Sequence, residues 1–323
     1  MQTRTKAIAI ALLLVVAVGL VAAEIAARVA FGFSMNEPIV IFDKSCEYRL
    51  APGDYAGGYR VNSRGMRSEE LPEEKPAGEF RVLVLGDSIT EGDTSLPNES
   101  LATYNAERIL NEGDDPDTSC RFLNVSVGSW SVMNQMGFID AFGDFDADAI
   151  VLVWNSGDAI DGFGTPLAPT SQPICGIHRA LRLLRVRIKS RSGVPILHEP
   201  GGIFARANAD ALDRLADHAE SRGIPLLAIW HPTQAETESG YDESRAQTLL
   251  DVFDARGVPV TRFADTLRDV IQAGGAPYAD HIHLSNDGHV LLAQTIAGLI
   301  EAERATEGAA PETPSNNAAD TDG

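Results

Sequence analysis

The chain has 323 residues, with 26 lysines and arginines against 46 aspartates and glutamates, for a formal charge of -20. Its 44% hydrophobic content excludes a wholly disordered chain, and a pI near 4.6 argues against a general nucleic-acid binder, because phosphate recognition needs clustered positive charge. Three cysteines (Cys46, Cys120, Cys175) are too few and too scattered for a disulfide scaffold or a zinc site. One disulfide with a free thiol and three free thiols are both open.

Ala7–Ala23 is an unbroken apolar run, preceded by Arg4 and Lys6 and ended by Glu24. As helix it spans roughly 25 Å, against a hydrocarbon core of about 30 Å. It reads as an uncleaved signal anchor, lengthened by Ile25–Phe33, with Glu24 and Arg28 reaching to the interface. The other reading is a cleaved signal peptide, with Val21 and Ala23 ahead of a cut at Glu24. The run is long for a signal peptide, which favours the anchor. A buried core helix is disfavoured, because the run is terminal, uniformly apolar and basic-flanked. The anchor makes the membrane a partner and a cleaved signal leaves a secreted protein; either reading puts the body outside the cytoplasm, since the basic residues precede the run. Residues 1–33 are thus expected to form the anchor.

Ser34–Gly78 is rich in glycine, proline and charge and has no sustained period, so residues 34–79 are expected to be an irregular wrap. Five short apolar runs follow: Arg81–Leu85, Arg121–Val127, Ala149–Trp154, Pro225–Trp230 and Val258–Phe263. They suit strands buried on both faces. Helical patterns cover Ser100–Leu110, Phe204–Arg222, Ser244–Arg256 and Asn286–Ala302. The alternation predicts an α/β fold with a five-stranded, mostly parallel sheet and helices on both sides. Pro166–Pro200 interrupts it. Within that stretch Arg179–Arg191 holds only basic charges. It reads either as an amphipathic helix with Leu181, Leu184 and Ile188 toward the core, or as a basic surface element near a membrane or an anionic substrate. The acidic, proline-containing end is expected to be disordered, which leaves a domain over 80–303 and a tail over 304–323.

Gly86-Asp87-Ser88-Ile89-Thr90 follows the first of these strands. In an open parallel sheet, ligands gather at the carboxyl ends of strands, and a serine there meets the crevice at a helix start. Alone, the motif also fits an ordinary helix cap. Near the other end, Asp280-His281-Ile282-His283-Leu284 follows the fifth strand. A serine nucleophile needs a base, and an imidazole base needs a carboxylate on its other nitrogen. A three-residue separation lets Asp280 reach His283. A metal shared by His281 and His283 has no further carboxylate–histidine cluster to complete it.

At these residues the sequence resembles the SGNH/GDSL hydrolases, over roughly Phe80–Ala302. The blocks that carry the likeness are Gly86-Asp87-Ser88 and the Asp-x-x-His-Leu of Asp280–Leu284. Upstream, Val61-Asn62-Ser63-Arg64-Gly65-Met66-Arg67 resembles a segment that precedes the nucleophile in membrane-anchored bacterial members. The resemblance implies a flavodoxin-like three-layer α/β/α sandwich, with Ser88 as nucleophile, His283 as general base and Asp280 as its orienting acid. It implies hydrolysis or transfer of an ester-linked acyl group, with no metal or organic cofactor.

Two blocks depart from the pattern. Asn124-Val125-Ser126-Val127-Gly128-Ser129-Trp130 puts Gly128 one residue early and Ser129 in register, so either backbone N–H is an oxyanion candidate. Trp154-Asn155-Ser156-Gly157-Asp158 puts Gly157 where an asparagine is expected, with Asn155 as a re-routed donor or a loop cap. Glu91 and Asp93 read as helix-end or surface acids. His231 reads as pocket lining or as a loop histidine packed on Pro232. Trp130, Trp154 and Trp230 read as a sugar-stacking wall or as core closure. The leading expectation is a membrane-anchored, extracytoplasmic serine esterase acting on an acylated carbohydrate, lipid or small ester. The alternatives are an O-acyltransferase acting on an envelope glycan and a non-catalytic binding protein on a degenerate form of the fold. Oligomeric state is not legible.

Overall fold

The computed structural model describes residues 2–31, 36–112, 119–162, 176–177, 181 and 199–308. Helix α1 (Gln2–Phe31) comes first. Its segment Arg4–Ala30 has a mean hydropathy of 2.8 and is almost wholly exposed, long and apolar enough to cross a membrane or to serve as a signal. Glu24 and Arg28 pair with each other at 2.7 Å, and the Glu24 carboxylate accepts the N–H groups of Gly176 and Ile177 at 2.8 and 2.9 Å. Both side chains are buried rather than extended to an interface.

The wrap is more ordered than expected. Strands β1 (Val40–Asp43) and β2 (Glu47–Leu50) form one antiparallel hairpin, and β3 (Gly53–Asp54) and β4 (Arg60–Val61) form another. Strands this short show no alternation that a sequence pattern can reveal. Burial holds them instead: Val40, Tyr48, Leu50, Tyr59, Val61 and Met66 join the core on one face of the main sheet.

That sheet contains β5 (Glu79–Gly86), β6 (Ser119–Ser126), β7 (Ala149–Trp154), β8 (Leu226–Trp230) and β9 (Val260–Arg262). Its order is β6-β5-β7-β8-β9 and every pairing is parallel. This is the flavodoxin-like order, which reverses direction beside the first strand. Alternate strand residues feed two separate cores, as the pleat requires. Leu83, Leu85, Ile150, Leu152 and Ala228 face one side, and Val82, Val84, Val151, Val153 and Ile229 face the other.

The first side is covered by α4 (Val132–Phe142), α5 (Ile203–Arg222), α7 (Glu243–Ala255) and the wrap. On α5, Ala205, Leu212, Leu215 and Ala219 line up at helical spacing, and each fully buried leucine contributes about 1.5–3 kcal/mol. The second side is covered by α2 (Ser88–Glu91), α3 (Ala102–Leu110), α8 (Ala264–Gln272) and α9 (Asn286–Gly308). A short α6 (Gln234–Ser239) follows β8. The predicted helices are present. Ser88 opens α2, the helix start expected there, whereas α4, α6 and α8 were not foreseen.

Helix α9 carries the chain past Glu301 to Gly308, so the expected disorder does not begin at 304. Arg304 explains the extension, since its guanidinium lies 5.2 Å above the Phe80 ring and reaches the Cys120 sulfur at 3.3 Å. Residues 309–323 lie outside the described residues, as do Cys175, Leu184 and Ile188. Leu181, expected to face the core, is exposed. Cys46 and Cys120 are buried free thiols, and burial pushes Cys46 up to about 12.

Candidate active site

The carboxyl edge of the sheet gathers the residues singled out by sequence. β5 ends at Gly86, where a Cβ would lie 2.1 Å from Thr90 Oγ1, so only glycine lets the chain turn this tightly into α2. Asp87 caps that helix by accepting the Ile89 N–H at 2.8 Å. Ser88 is therefore the first helical residue, half-buried at the crevice.

The loop between α8 and α9 brings His283 to it. A bridge between Tyr278 and Leu284 and the bond from Ala279 N to His283 O (2.8 Å) close this loop on itself. Asp280 Oδ1 accepts the N–H groups of Ile282 and His283 at 2.9 and 2.8 Å. Its other oxygen meets His283 Nδ1 at 2.7 Å, and His283 Nε2 meets Ser88 Oγ at 2.9 Å. Burial alone raises the Asp280 carboxyl, but these donors outweigh it and bring it down to about 2. An ionised carboxylate only accepts, so Nδ1 carries the ring proton and the Nε2 lone pair faces the Ser88 hydroxyl. The arrangement is able to take a proton from Ser88 as the oxygen attacks an electrophile.

His231, after β8, does not line a pocket. It is fully buried, and Nε2–H donates to the Ile282 carbonyl at 2.8 Å, beside His283. Gln234 N donates to His281 O at 2.9 Å, and the Tyr278 hydroxyl donates to Pro232 O at 2.8 Å. Together these bonds fasten the loop that carries Asp280 and His283 to the end of β8. Burial lowers His231 to about 4, so the ring is neutral. His281, the other half of the metal alternative, is exposed.

The expected oxyanion donors are arranged differently. Asn155 Nδ2 donates to Asp87 Oδ2 and to Asp158 Oδ2, both at 3.0 Å, so both amide hydrogens are committed. Asn155 thus serves as a bridge between two buried carboxyls, each raised by that burial, and not as an open donor. The Gly128 N–H is also taken, by Glu91 Oε2. Ser129 lies at the middle of a turn closed from Trp130 N to Val127 O (3.0 Å), and it adopts φ 66°.

Glu91 ends α2, as its helix-end reading expects. It is no surface acid, because its second oxygen accepts the hydroxyl of buried Tyr59. Burial raises its carboxyl, opposed by the Tyr59 bond, the Arg67 charge and the Gly128 N–H. Asp93, by contrast, is exposed and caps Ser95 N at 2.7 Å. Arg67 belongs to the upstream segment that sequence did flag. It is fully buried, stacks 3.7 Å from the Tyr59 ring centre, and donates to Glu91 O (2.7 Å), Leu96 O (2.6 Å) and Asn98 Oδ1 (3.0 Å).

The three tryptophans close the core and form no open wall. All are buried, and Trp154 stacks on Trp230 with ring centres 4.8 Å apart.

No protein-family model and no curated protein matches the chain. Solved structures of similar fold include a two-domain esterase active on acetylated mannans, at 13% identity and a TM-score of 0.46 over 71% of this chain. This chain spans about half of that protein's length, 51%. An acetyl xylan esterase aligns at 11% identity and TM-score 0.47, over 68% of this chain and 100% of its own. The lipase/acylhydrolase of Enterococcus faecalis aligns at 15% identity and TM-score 0.44, over 69% of this chain and 96% of its own. Likenesses at this level carry no activity across, and the chemistry of this chain lies in its own side chains.

Proposed function

We propose that this chain is an SGNH-type serine esterase. Ser88 Oγ attacks an ester carbonyl while His283 Nε2 takes its proton, and Asp280 holds the resulting imidazolium. His283 then protonates the leaving alcohol, and water enters by the reverse path to release the acid and free Ser88. The observation that carries this reading is the unbroken chain from Ser88 Oγ through His283 to Asp280, at 2.9 and 2.7 Å.

The substrate class is an acylated carbohydrate, a lipid or a small ester, and α1 anchors the body to a membrane on its extracytoplasmic side. Hydrolysis of an ester series of increasing acyl length and of acetylated glycans tests the reading. Ser88→Ala and His283→Ala should each lower kcat by about 10³- to 10⁶-fold. Adding a glycan acceptor separates hydrolysis from acyl transfer by its products. The commitment of the Gly128 and Asn155 donors to carboxylates favours a second reading, a binding protein on this fold. That reading predicts no turnover by a wild-type chain that is folded.

A further inference from the structure

The backbone donors beside Ser88 are not equivalent, and two side chains outside the triad distinguish them. The turn of Val127–Trp130 abuts the nucleophile, since a Cβ on Gly128 would lie 3.6 Å from Ser88 Cβ. Both polar groups of Gly128 are held. Its N–H is bound by Glu91, and its carbonyl accepts the hydroxyl of Tyr48, a buried residue of the β1–β2 hairpin, at 3.0 Å. A trans peptide points its carbonyl and the following N–H in opposite directions. The Tyr48 hydroxyl therefore sets the direction of the Ser129 N–H, away from the hairpin. No hydrogen bond engages that N–H among the described residues. The left-handed φ of Ser129, 66°, is what a turn so held requires.

Taking the Ser129 N–H, the in-register candidate from the sequence, as the oxyanion donor beside that of Ser88, we propose that Tyr48 and Glu91 are positioning residues that aim it. Gly128 cannot share the task while a carboxylate occupies its N–H, and Asn155 has no amide hydrogen left to offer. The N-terminal wrap thereby completes the site. Tyr48 holds one side of the Gly128 unit, and Tyr59 and Arg67 hold Glu91 on the other. Trp130 Nε1 in turn donates to Tyr48 O at 3.0 Å, which ties the turn back to the hairpin. The inference rests on the esterase reading.

The full chain in detergent micelles permits a direct test. Gly128–Ser129 is the only Gly-Ser step in the sequence, so carbonyl-13C glycine with 15N serine isolates the Ser129 amide as one resonance. Phosphonylation of Ser88 by a fluorophosphonate puts a phosphoryl oxygen where the oxyanion forms. The Ser129 amide should move downfield on labelling. Tyr48→Phe and Glu91→Ala should lower kcat by about 10- to 100-fold with KM within about twofold. Glu91→Gln keeps an oxygen for the Gly128 N–H and should recover most of that loss. A labelled Ser88 with an unmoved Ser129 amide overturns the donor assignment. Folded Tyr48→Phe and Glu91→Ala proteins with kcat within twofold of wild type overturn the positioning roles. A rise in kcat for Glu91→Ala also overturns them, since it would make Glu91 a plug on the Gly128 N–H. A wild-type chain that is folded but takes no label defeats the esterase reading itself, a result distinct from the others.

Discussion

Ser129 adopts φ 66°, a conformation that costs a residue with a Cβ on the order of 1 kcal/mol. Ser129→Gly should therefore raise stability by about 1 kcal/mol, less the extra entropy of glycine in the unfolded chain, as read from denaturant midpoints. An unchanged or lower midpoint would mean that the serine side chain contributes a contact outweighing the strain. Two buried histidines give the fold a pH dependence. Burial lowers His231 to about 4, and burial together with the Arg67 charge lowers His289 to about 3. Unfolded, each binds a proton near pH 6.5. Between those values the unfolded state holds more protons, so stability falls as pH drops below 6.5, by about 1.4 kcal/mol per unit for each ring. Buried Asp87 is raised and slopes the other way, so the informative quantity is a difference between proteins. His289→Gln should remove about 2 kcal/mol of the loss between pH 6.5 and 5, and parallel melting curves for the two proteins would contradict this. Ser88, Asp280 and His283, which the structure brings within hydrogen-bond reach in turn, were visible in the sequence as local patterns, a serine after a strand and an Asp-x-x-His step. The burial of Glu91 was not. An acid one turn past Ser88 reads as a helix end, and its burial is created by Tyr59 and Gly128, which are distant in sequence.

The elements that were legible are those whose pattern is local. Strands β7 and β8, and β5 beyond Arg81, are apolar throughout because both faces are covered, and α5 shows its stripe plainly. Helix α4 was hidden by a glycine at its centre and by the polar pair Asn134 and Gln135. Gly137 and Asn134 have tertiary explanations. A Cβ on Gly137 would lie 2.1 Å from the Ser45 carbonyl oxygen, where the β1–β2 hairpin packs on the helix, and Asn134 Nδ2 donates to Cys46 O at 3.1 Å. Gly137→Ala separates the two effects by sign. Helix propensity alone predicts a gain of about 1 kcal/mol. The collision with backbone predicts a loss of about 1–3 kcal/mol, as the hairpin is forced off the helix. We expect the loss, measured by thermal or denaturant melts, and a gain would show that the hairpin is not seated as described. The same dependence on a distant partner explains why the wrap read as irregular.

At the scale of the whole molecule, the charge of -20 and the apolar N-terminus divide the labour. The acidic balance argues against polyanion partners, while α1 supplies a hydrophobic stretch that needs no basic surface to meet a lipid bilayer. If α1 remains as an anchor, the protein should stay with the membrane pellet after alkaline carbonate washing. Release as a soluble chain beginning at Glu24 would support the cleaved signal instead. The wrap joins this end of the chain to the sheet edge that holds Ser88, because its hairpins pack in the same core as the sheet and Tyr48 reaches the turn beside Ser88. What the sequence could not display is this closure of the site by segments far apart in the chain. The proposed role of Ser88 is tested most directly by the mass of the peptide that carries it after the folded, full-length protein meets a fluorophosphonate. One adduct is expected, on Ser88, absent in Ser88→Ala and slowed in His283→Ala. A folded protein that takes no adduct, or takes it on another residue, contradicts the assignment of Ser88 as nucleophile.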